Sequence, residues 1–376
     1  MAITKLSIDE FLQLSKEHPV LDVRSPGEFG HAHIPNAFSL PLFSDDERKI
    51  VGTAYKQESK EKAIKLGLDY FGIKMVKMVE AVEVIVKSWE SKIKTEKNKT
   101  LLVHCWRGGM RSAGVAWLLD LYGFKVYTLV GGYKVYRKWA LQQFEKSYTL
   151  NIVGGYTGSG KTEALHVLAK QNQPIIDLEK LASHKGSAFG GLGQSLQPSQ
   201  EMFENLLAQD LKVLADKWQM KEQKSTADSP LANASISPVI WIEDESQRIG
   251  EVNIPTIFYK QMRSQPLYFI NIPFEERLNF IVEHYGSFSK ENLVSAIIRI
   301  KKRLGGLETK TAINCLLEDN TRGCFSVLLA YYDKLYLKGL QTRENFTALF
   351  NRIELDTVTH EESAKKLVST AKQAAI

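Results

Sequence analysis

The stretch Thr149-Leu150-Asn151-Ile152-Val153-Gly154-Gly155-Tyr156-Thr157-Gly158-Ser159-Gly160-Lys161-Thr162 decides the fold. An apolar run of strand character enters a glycine-rich turn, and residues 161–170 continue with helical periodicity. Gly155, Gly158, Ser159, Gly160, Lys161 and Thr162 fall on the pattern G-x-x-x-x-G-K-[ST], in the strand–turn–helix setting that the pattern requires. Backbone N–H groups of such a turn, with the N-terminus of the helix, cradle phosphate oxygens. Lys161 adds a point charge, and the Thr162 hydroxyl is placed to reach a magnesium ion. A strand feeding a helix in this way implies a parallel sheet.

Working outward, strand-like runs recur at 174–178, 239–243 and 267–272, and helical runs at 199–218, 289–337 and from Glu361 onward. Val239-Ile240-Trp241-Ile242-Glu243-Asp244-Glu245 is an apolar strand ending in acids, with Glu243 or Asp244 as the magnesium-side carboxylate of a Walker B-like element. Solvated acids at an ordinary strand end are the alternative. His184-Lys185-Gly186-Ser187-Ala188-Phe189-Gly190-Gly191 reads as a phosphate or nucleic-acid loop, or as a plain turn. Arg299, Lys301, Lys302 and Arg303 share a helical run, either as a cationic face for an RNA backbone or as a solvated face. The polar segment 219–237 reads as a mobile insertion.

The part of the chain before Tyr148 alternates strands and helices as well. The run Pro19-Val20-Leu21-Asp22-Val23 closes at Ser25-Pro26-Gly27; Thr100–Cys105 and Lys125–Leu129 are further strands; helix 112–122 ends at Gly123. Residues 63–94 are mainly helical, with Met75, Met78, Val79, Val82, Val86 and Trp89 spaced as core residues. His104-Cys105-Trp106-Arg107-Gly108-Gly109-Met110-Arg111-Ser112 joins a strand to a helix. There the helix dipole and the charges of Arg107 and Arg111 favour a thiolate at Cys105, while Gly108 and Gly109 let N–H groups turn inward as an anion nest. Cys105 is therefore a candidate catalytic nucleophile or chalcogen carrier, with Arg107, Gly108, Gly109, Arg111 and Ser112 as its loop. A buried structural cysteine is the bland alternative.

Composition bounds the rest. The chain has 376 residues, net charge +6, 44% hydrophobic and 24% charged residues. That supports more than one packed domain and excludes disorder as the dominant state. Three cysteines without regular spacing exclude a disulfide framework. No run is long and apolar enough to span a membrane and no secretion signal is visible, so the expected location is cytoplasmic, with no membrane partner. The basic excess lies entirely in the first 147 residues, which is compatible with a polyanionic partner.

Asp22-Val23-Arg24, Glu28-Phe29, His33-Ile34-Pro35-Asn36-Ala37 and Cys105 with Gly108 resemble a rhodanese domain, in which Asp22 and Arg24 support the loop by charge pairing. Ala32 and Asn36 stand where that family usually has glycines, and the loop between Cys105 and Arg111 is one residue longer than is common. His-Cys-x5-Arg-Ser is also the tyrosine-phosphatase loop pattern. Followed by the phosphate loop, and with Val51-Gly52-Thr53-Ala54-Tyr55-Lys56-Gln57, His184-Lys185-Gly186-Ser187 and Trp241–Gly250, the set closely resembles the tRNA 2-selenouridine synthase family over nearly the whole chain.

The expected fold is accordingly α/β: an N-terminal rhodanese-like parallel-sheet domain (1–138), a linker (139–147), and a P-loop NTPase-like α/β domain with a helical C-terminal region (148–376). The resemblance implies replacement of sulfur by selenium in wobble 2-thiouridine of tRNA. Selenophosphate is the implied donor, and the implied route passes through an S-geranyl intermediate made from geranyl diphosphate. It places the diphosphate on residues 155–162, with or without magnesium, and the selenium step at Cys105, as perselenide carrier or anion cradle. The competing readings are an ATP-dependent sulfurtransferase or a rhodanese-fold phosphatase fused to a P-loop domain, and a noncatalytic binding module.

Overall fold

Continuous apolar runs, rather than alternating ones, build the central strands, because both faces of a parallel sheet are covered by helices. The computed structural model describes residues 3–93, 99–225 and 239–374. The chain divides into two compact units, Met1–Gln143 and Phe144–Ile376. Both are α/β units with parallel sheets, and a helical region occupies the later part of the second.

In the first unit β1 (Thr4–Leu6), β2 (Val20–Asp22), β3 (Phe38–Ser39), β4 (Thr100–His104) and β5 (Lys125–Leu129) form one sheet in the order β1-β5-β4-β2-β3, every pairing parallel. Central β4 is buried from Leu101 to His104, and its carboxyl end delivers Cys105. Ser-x-x-Glu capping boxes start helices Ile8–Leu14 and Asp45–Gln57. Helix Met110–Tyr122 begins two residues before the expected start and ends, as expected, at Gly123 with φ 109°. The helical stretch 63–94 is two helices, Lys60–Gly72 and Met75–Ile93, and Met78, Val79, Val82, Val86 and Trp89 are buried.

In the second unit β6 (Thr149–Gly155), β7 (Ile175–Ile176), β8 (Val239–Glu243), β11 (Leu267–Asn271) and β12 (Phe350–Glu354) form a parallel sheet in the order β12-β11-β6-β8-β7. The pair β9 (Arg248–Ile249) and β10 (Val252–Asn253) stands apart, antiparallel. β6 lies between β8 and β11, so the phosphate loop leaves the middle of the sheet, where ligands of open parallel sheets bind. The strand read at 174–178 shrinks to two residues, because Asp177 caps a short helix, Leu178–Ala182. The single helical run read at 289–337 is three helices, Lys290–Leu304, Gly306–Leu317 and Thr321–Leu340. Gly305 at φ 103° breaks the first junction, and Asp319 at φ 58° with the Asn320 cap makes the second. The expected mobile insertion at 219–237 lies mostly outside the described residues, and helix Gln200–Ser225 enters its first part. No helix among the described residues is long and apolar enough to cross a membrane.

The stretch 139–147, read as a linker, is divided between the units. Helix Gly132–Gln143 contains its first part, with Trp139, Ala140 and Gln143 buried. Phe144, 2% exposed, packs on Phe258 at 6.3 Å, and Gln261 Nε2 donates to Lys146 O at 2.7 Å.

Under the carboxyl end of the first sheet lies a buried ion pair. Arg24 Nη2 meets Asp22 Oδ2 at 2.6 Å and donates to Ala32 O at 2.7 Å, while the guanidinium lies 3.8 Å from the Tyr133 ring centroid. Removing one partner strands the other charge in the core. Arg24→Ala should therefore lower the stability of this unit by about 3–5 kcal/mol. Denaturant unfolding followed by tryptophan fluorescence is the check.

Candidate functional sites

The loop after β4 turns back on itself at Gly108, φ 64°, where a Cβ would stand 2.5 Å from Leu129 O. Its outer support is a second glycine pair. A Cβ on Gly132, φ 59°, would stand 2.3 Å from Cys105 O, and Tyr133 N–H donates to that oxygen at 2.8 Å. Sequence reading passed over Gly131 and Gly132. Their signal is a glycine pair directly after β5, the strand beside β4.

Cys105 is buried, with Sγ 3.3 Å from Ser112 Oγ. Burial alone would raise its thiol pKa. Hydrogen bonds from the Ser112 hydroxyl and from the N–H groups of Ser112, Arg107 and Gly109 outweigh burial and bring it below the ordinary thiol value. The loop is thus an anion nest with sulfur at its centre.

The two arginines differ. Arg111 Nη1 donates to Glu28 Oε2 at 2.8 Å, and Arg48 Nε lies 3.0 Å from the same oxygen. Burial raises the Glu28 pKa, but the hydrogen bond and charge of Arg111 dominate and take it down to about 2. Arg111 is therefore a strut, spent on Glu28. Arg107 is exposed and remains the cation available to an incoming anion. Behind the loop, burial holds His104 below its ordinary pKa and so neutral, 3.7 Å from Asp22 Oδ2. Asp22 and Arg24 pair with each other, and Arg24 donates to Ala32 O while its guanidinium lies 5.9 Å from the ring centroid of Trp106 in the cysteine loop.

In the second unit the phosphate loop closes around Lys161, whose Nζ donates to Gly155 O at 3.0 Å and Tyr156 O at 3.4 Å. Gly158 and Gly160 have φ of 81° and 69°, and Cβ atoms there would press on Arg277 O and Val358 Cγ1. Ser159 is buried within the loop. Thr162 Oγ1 lies 2.5 Å from Glu243 Oε1 and 3.1 Å from Glu179 Oε2. Of the two Walker B-like candidates, Glu243 faces the loop threonine. Asp244 is engaged elsewhere, by an ion pair with Arg343 and by the Tyr336 hydroxyl at 2.7 Å. Burial raises Glu179 and lifts Glu243 well above its ordinary value, and Glu179, Asp177 and Glu245 push Glu243 further. Among the described residues, no three acidic, histidine or cysteine side chains gather to hold a metal by themselves.

The basic candidates separate. Lys185 lines the cavity over the phosphate loop. His184 packs inside its own loop, where a Cβ on Gly190 would lie 2.8 Å from its ring. Arg299 Nη2 donates to Ala188 O at 3.0 Å and so straps that loop. Lys301, Lys302 and Arg303 point to solvent. Arg277, missed in the sequence, is buried and donates to Thr157 O at 3.0 Å and to Asp333 at 2.9 and 2.7 Å.

The cavity has a volume of about 280 Å³. Its lining is polar around the phosphate loop, Glu179, Lys185 and Glu245, and apolar and aromatic at Phe189, Phe325, Leu328 and Leu329, with Ile281 lying against Gly158 of the loop. The arrangement can hold a phosphate group on the loop and a hydrocarbon against the apolar lining.

Comparison with known proteins matches residues 148–363 to the tRNA 2-selenouridine synthase AAA domain and residues 7–138 to the rhodanese-like domain. A tRNA 2-selenouridine synthase of Bdellovibrio bacteriovorus is 32% identical, covering 96% of this chain and 99% of that protein. Its counterpart from a Sulfurovum species is 31% identical over 85% of this chain and 87% of that protein. One from Nitrosomonas europaea is 34% identical over 74% of this chain and 67% of that protein.

The nest around Cys105 sets a pH dependence. Reaction with a small alkylating agent should rise with pH at a value below that of a free thiol and level off once the thiolate is formed. Ser112→Ala removes a hydrogen bond to the charged form and should shift this rise to higher pH by about one unit. Mass-spectrometric quantification at Cys105 distinguishes it from Cys324, whose thiol burial pushes up to about 12.

Proposed function

The chain belongs to the tRNA 2-selenouridine synthase family, and we propose that it exchanges sulfur for selenium in wobble 2-thiouridine of tRNA by two steps on its two loops. In the first step the thiocarbonyl sulfur attacks C1 of geranyl diphosphate. The S–C bond forms, the C–O bond breaks with its electron pair leaving on the diphosphate, and the uridine loses its N3 proton. In the second, selenium from selenophosphate adds at C2 and the geranyl thiolate leaves. Alkylation turns a poor leaving group into a good one. Hydrolysis of the remaining Se–P bond releases phosphate and the selenouridine.

The observation that carries this reading is the cavity of the second unit. A phosphate loop with Lys161 and Lys185 opens onto aromatic and aliphatic side chains, which suits a diphosphate ester with a hydrocarbon arm. Lys161 and the loop N–H groups meet the charge that develops on the departing diphosphate. Thr162 and Glu243 are the residues that would hold a magnesium ion, since Glu243 Oε2 is buried without a hydrogen-bond partner. Magnesium, when bound there, would supply further neutralisation of the leaving group.

The Cys105 loop takes the selenium step. Selenium has the same oxidation level in selenophosphate and in 2-selenouridine, so direct displacement balances without an oxidant, whereas a Cys105 perselenide needs one. The balance favours the loop as an anion cradle, with exposed Arg107 toward the phosphate and Cys105 at its floor.

Two substitutions separate the steps. Lys161→Ala should lower geranylation by about 10²–10³-fold, as loss of a preorganised charge-stabilising group does, and leave selenation of pre-geranylated tRNA intact. Equal loss of both steps refutes the division. Cys105→Ala should stop selenium incorporation while S-geranyl tRNA accumulates, read by mass spectrometry of wobble nucleosides. Selenation at the wild-type rate would demote Cys105 to a loop residue.

A further inference from the structure

Helix Thr321–Leu340 runs from the phosphate loop into the helical core. Tyr336 stands at its loop end, where its hydroxyl accepts the Gly155 N–H at 3.3 Å. Tyr332, Leu329 and Phe325 lie one, two and three turns before it on the same face, and all four line the cavity. From Tyr336 to Phe325 the helix advances ~16 Å.

At that depth three rings meet. Phe325 and Phe189 have centroids 5.9 Å apart, Phe189 and Tyr285 6.2 Å, and Tyr285 and Phe325 6.3 Å. Phe325 is 3% exposed and Phe189 4%. The loop that presents Phe189 is fastened on both sides of Ala188: its N–H donates to the Tyr332 hydroxyl at 3.0 Å, and its carbonyl accepts from Arg299. The wall around Phe325 is therefore a packed aromatic cluster, stiff by close packing, and Lys185 Nζ lies 5.9 Å from the centroid of its Tyr285 ring.

We propose that Phe325, backed by Phe189 and Tyr285, is the stop that sets how many isoprene units the cavity accepts, and that Leu329, one turn nearer the loop, is the next position along the same ruler. This rests on the reading that a prenyl diphosphate docks on the phosphate loop. A tail one unit longer than geranyl has to displace a buried ring held by two others. Removing that ring opens room for it, and a ring at Leu329 takes room from geranyl itself.

The test is a competition. Full-length wild type, Phe325→Ala and Leu329→Phe are incubated with tRNA bearing 2-thiouridine and an equimolar mixture of dimethylallyl, geranyl and farnesyl diphosphates, and the S-prenyl nucleosides are quantified. Phe325→Ala should raise the farnesyl-to-geranyl ratio about tenfold or more, the scale on which apolar pockets discriminate added carbons. Leu329→Phe should raise the dimethylallyl-to-geranyl ratio in the same way. Unchanged ratios in folded variants, with wild type still transferring geranyl, overturn the ruler and leave the docking reading standing. Transfer of no prenyl group by wild type overturns both. Circular dichroism establishes folding, and if Phe325→Ala does not fold, the ratio for Leu329→Phe decides.

Discussion

The Arg277 guanidinium is 3% exposed, and all its nitrogens are engaged: Nε on Ile272 O, Nη1 on Thr157 O and Asp333, Nη2 on Asp333. Its face also lies 4.8 Å from the Tyr156 ring centroid. One buried cation thus joins the end of β11, the phosphate loop, its own helix Phe274–Tyr285 and helix Thr321–Leu340. A loop whose N–H groups must point inward to an anion has its carbonyls turned outward, and something must satisfy them. Arg277 does so at Thr157, and the adjacent Asp333 offsets the cost of burying it. Since the helix that carries Asp333 also carries Tyr332, Leu329 and Phe325, the same ion pair registers the apolar wall of the cavity against its phosphate end.

The first unit solves a related problem with Arg24 and Asp22. Again a buried guanidinium is paired with one aspartate, donates to a main-chain carbonyl and lies on a tyrosine ring. Here it fixes Ala32 and backs the Trp106 ring of the cysteine loop, which Gly131, Gly132 and Tyr133 hold from the side. The two sites also differ in charge. Around Cys105 the N–H groups favour the anion on the sulfur itself. Around Lys161 stand Glu179, Glu243 and Glu245, and burial raises all three, with the charge of Asp177 adding to it.

Both loops were readable in the chain because a backbone nest is a local object. Residues 105–112 and 155–162 supply their own N–H groups, glycines and charged side chains, and the strand before and helix after each are short-range patterns. The struts were not readable. Arg111 meets Glu28 across 83 residues, Arg277 meets Thr157 across 120, and Tyr336 meets Asp244 across 92. The same distance in sequence hid that the charge of Arg111 is met by Glu28, and left Glu243 and Asp244 as alternatives for the magnesium-side carboxylate. Apolar periodicity likewise ran three helices together at 289–337, because periodicity reports which face is buried and not where the axis turns. Only Gly305 and the Asn320 cap marked the turns.

By itself the sequence determined the α/β class, the order of the two units, and where the cysteine loop and the lysine loop stand, because each follows from short stretches of chain. The tertiary structure alone decided which arginine is exposed, which acid faces Thr162, and that the phosphate loop opens onto a cavity lined in part by apolar side chains, Phe325 among them. Those are matters of which side chains from distant segments fill one space, and close packing settles them only when the whole unit has folded.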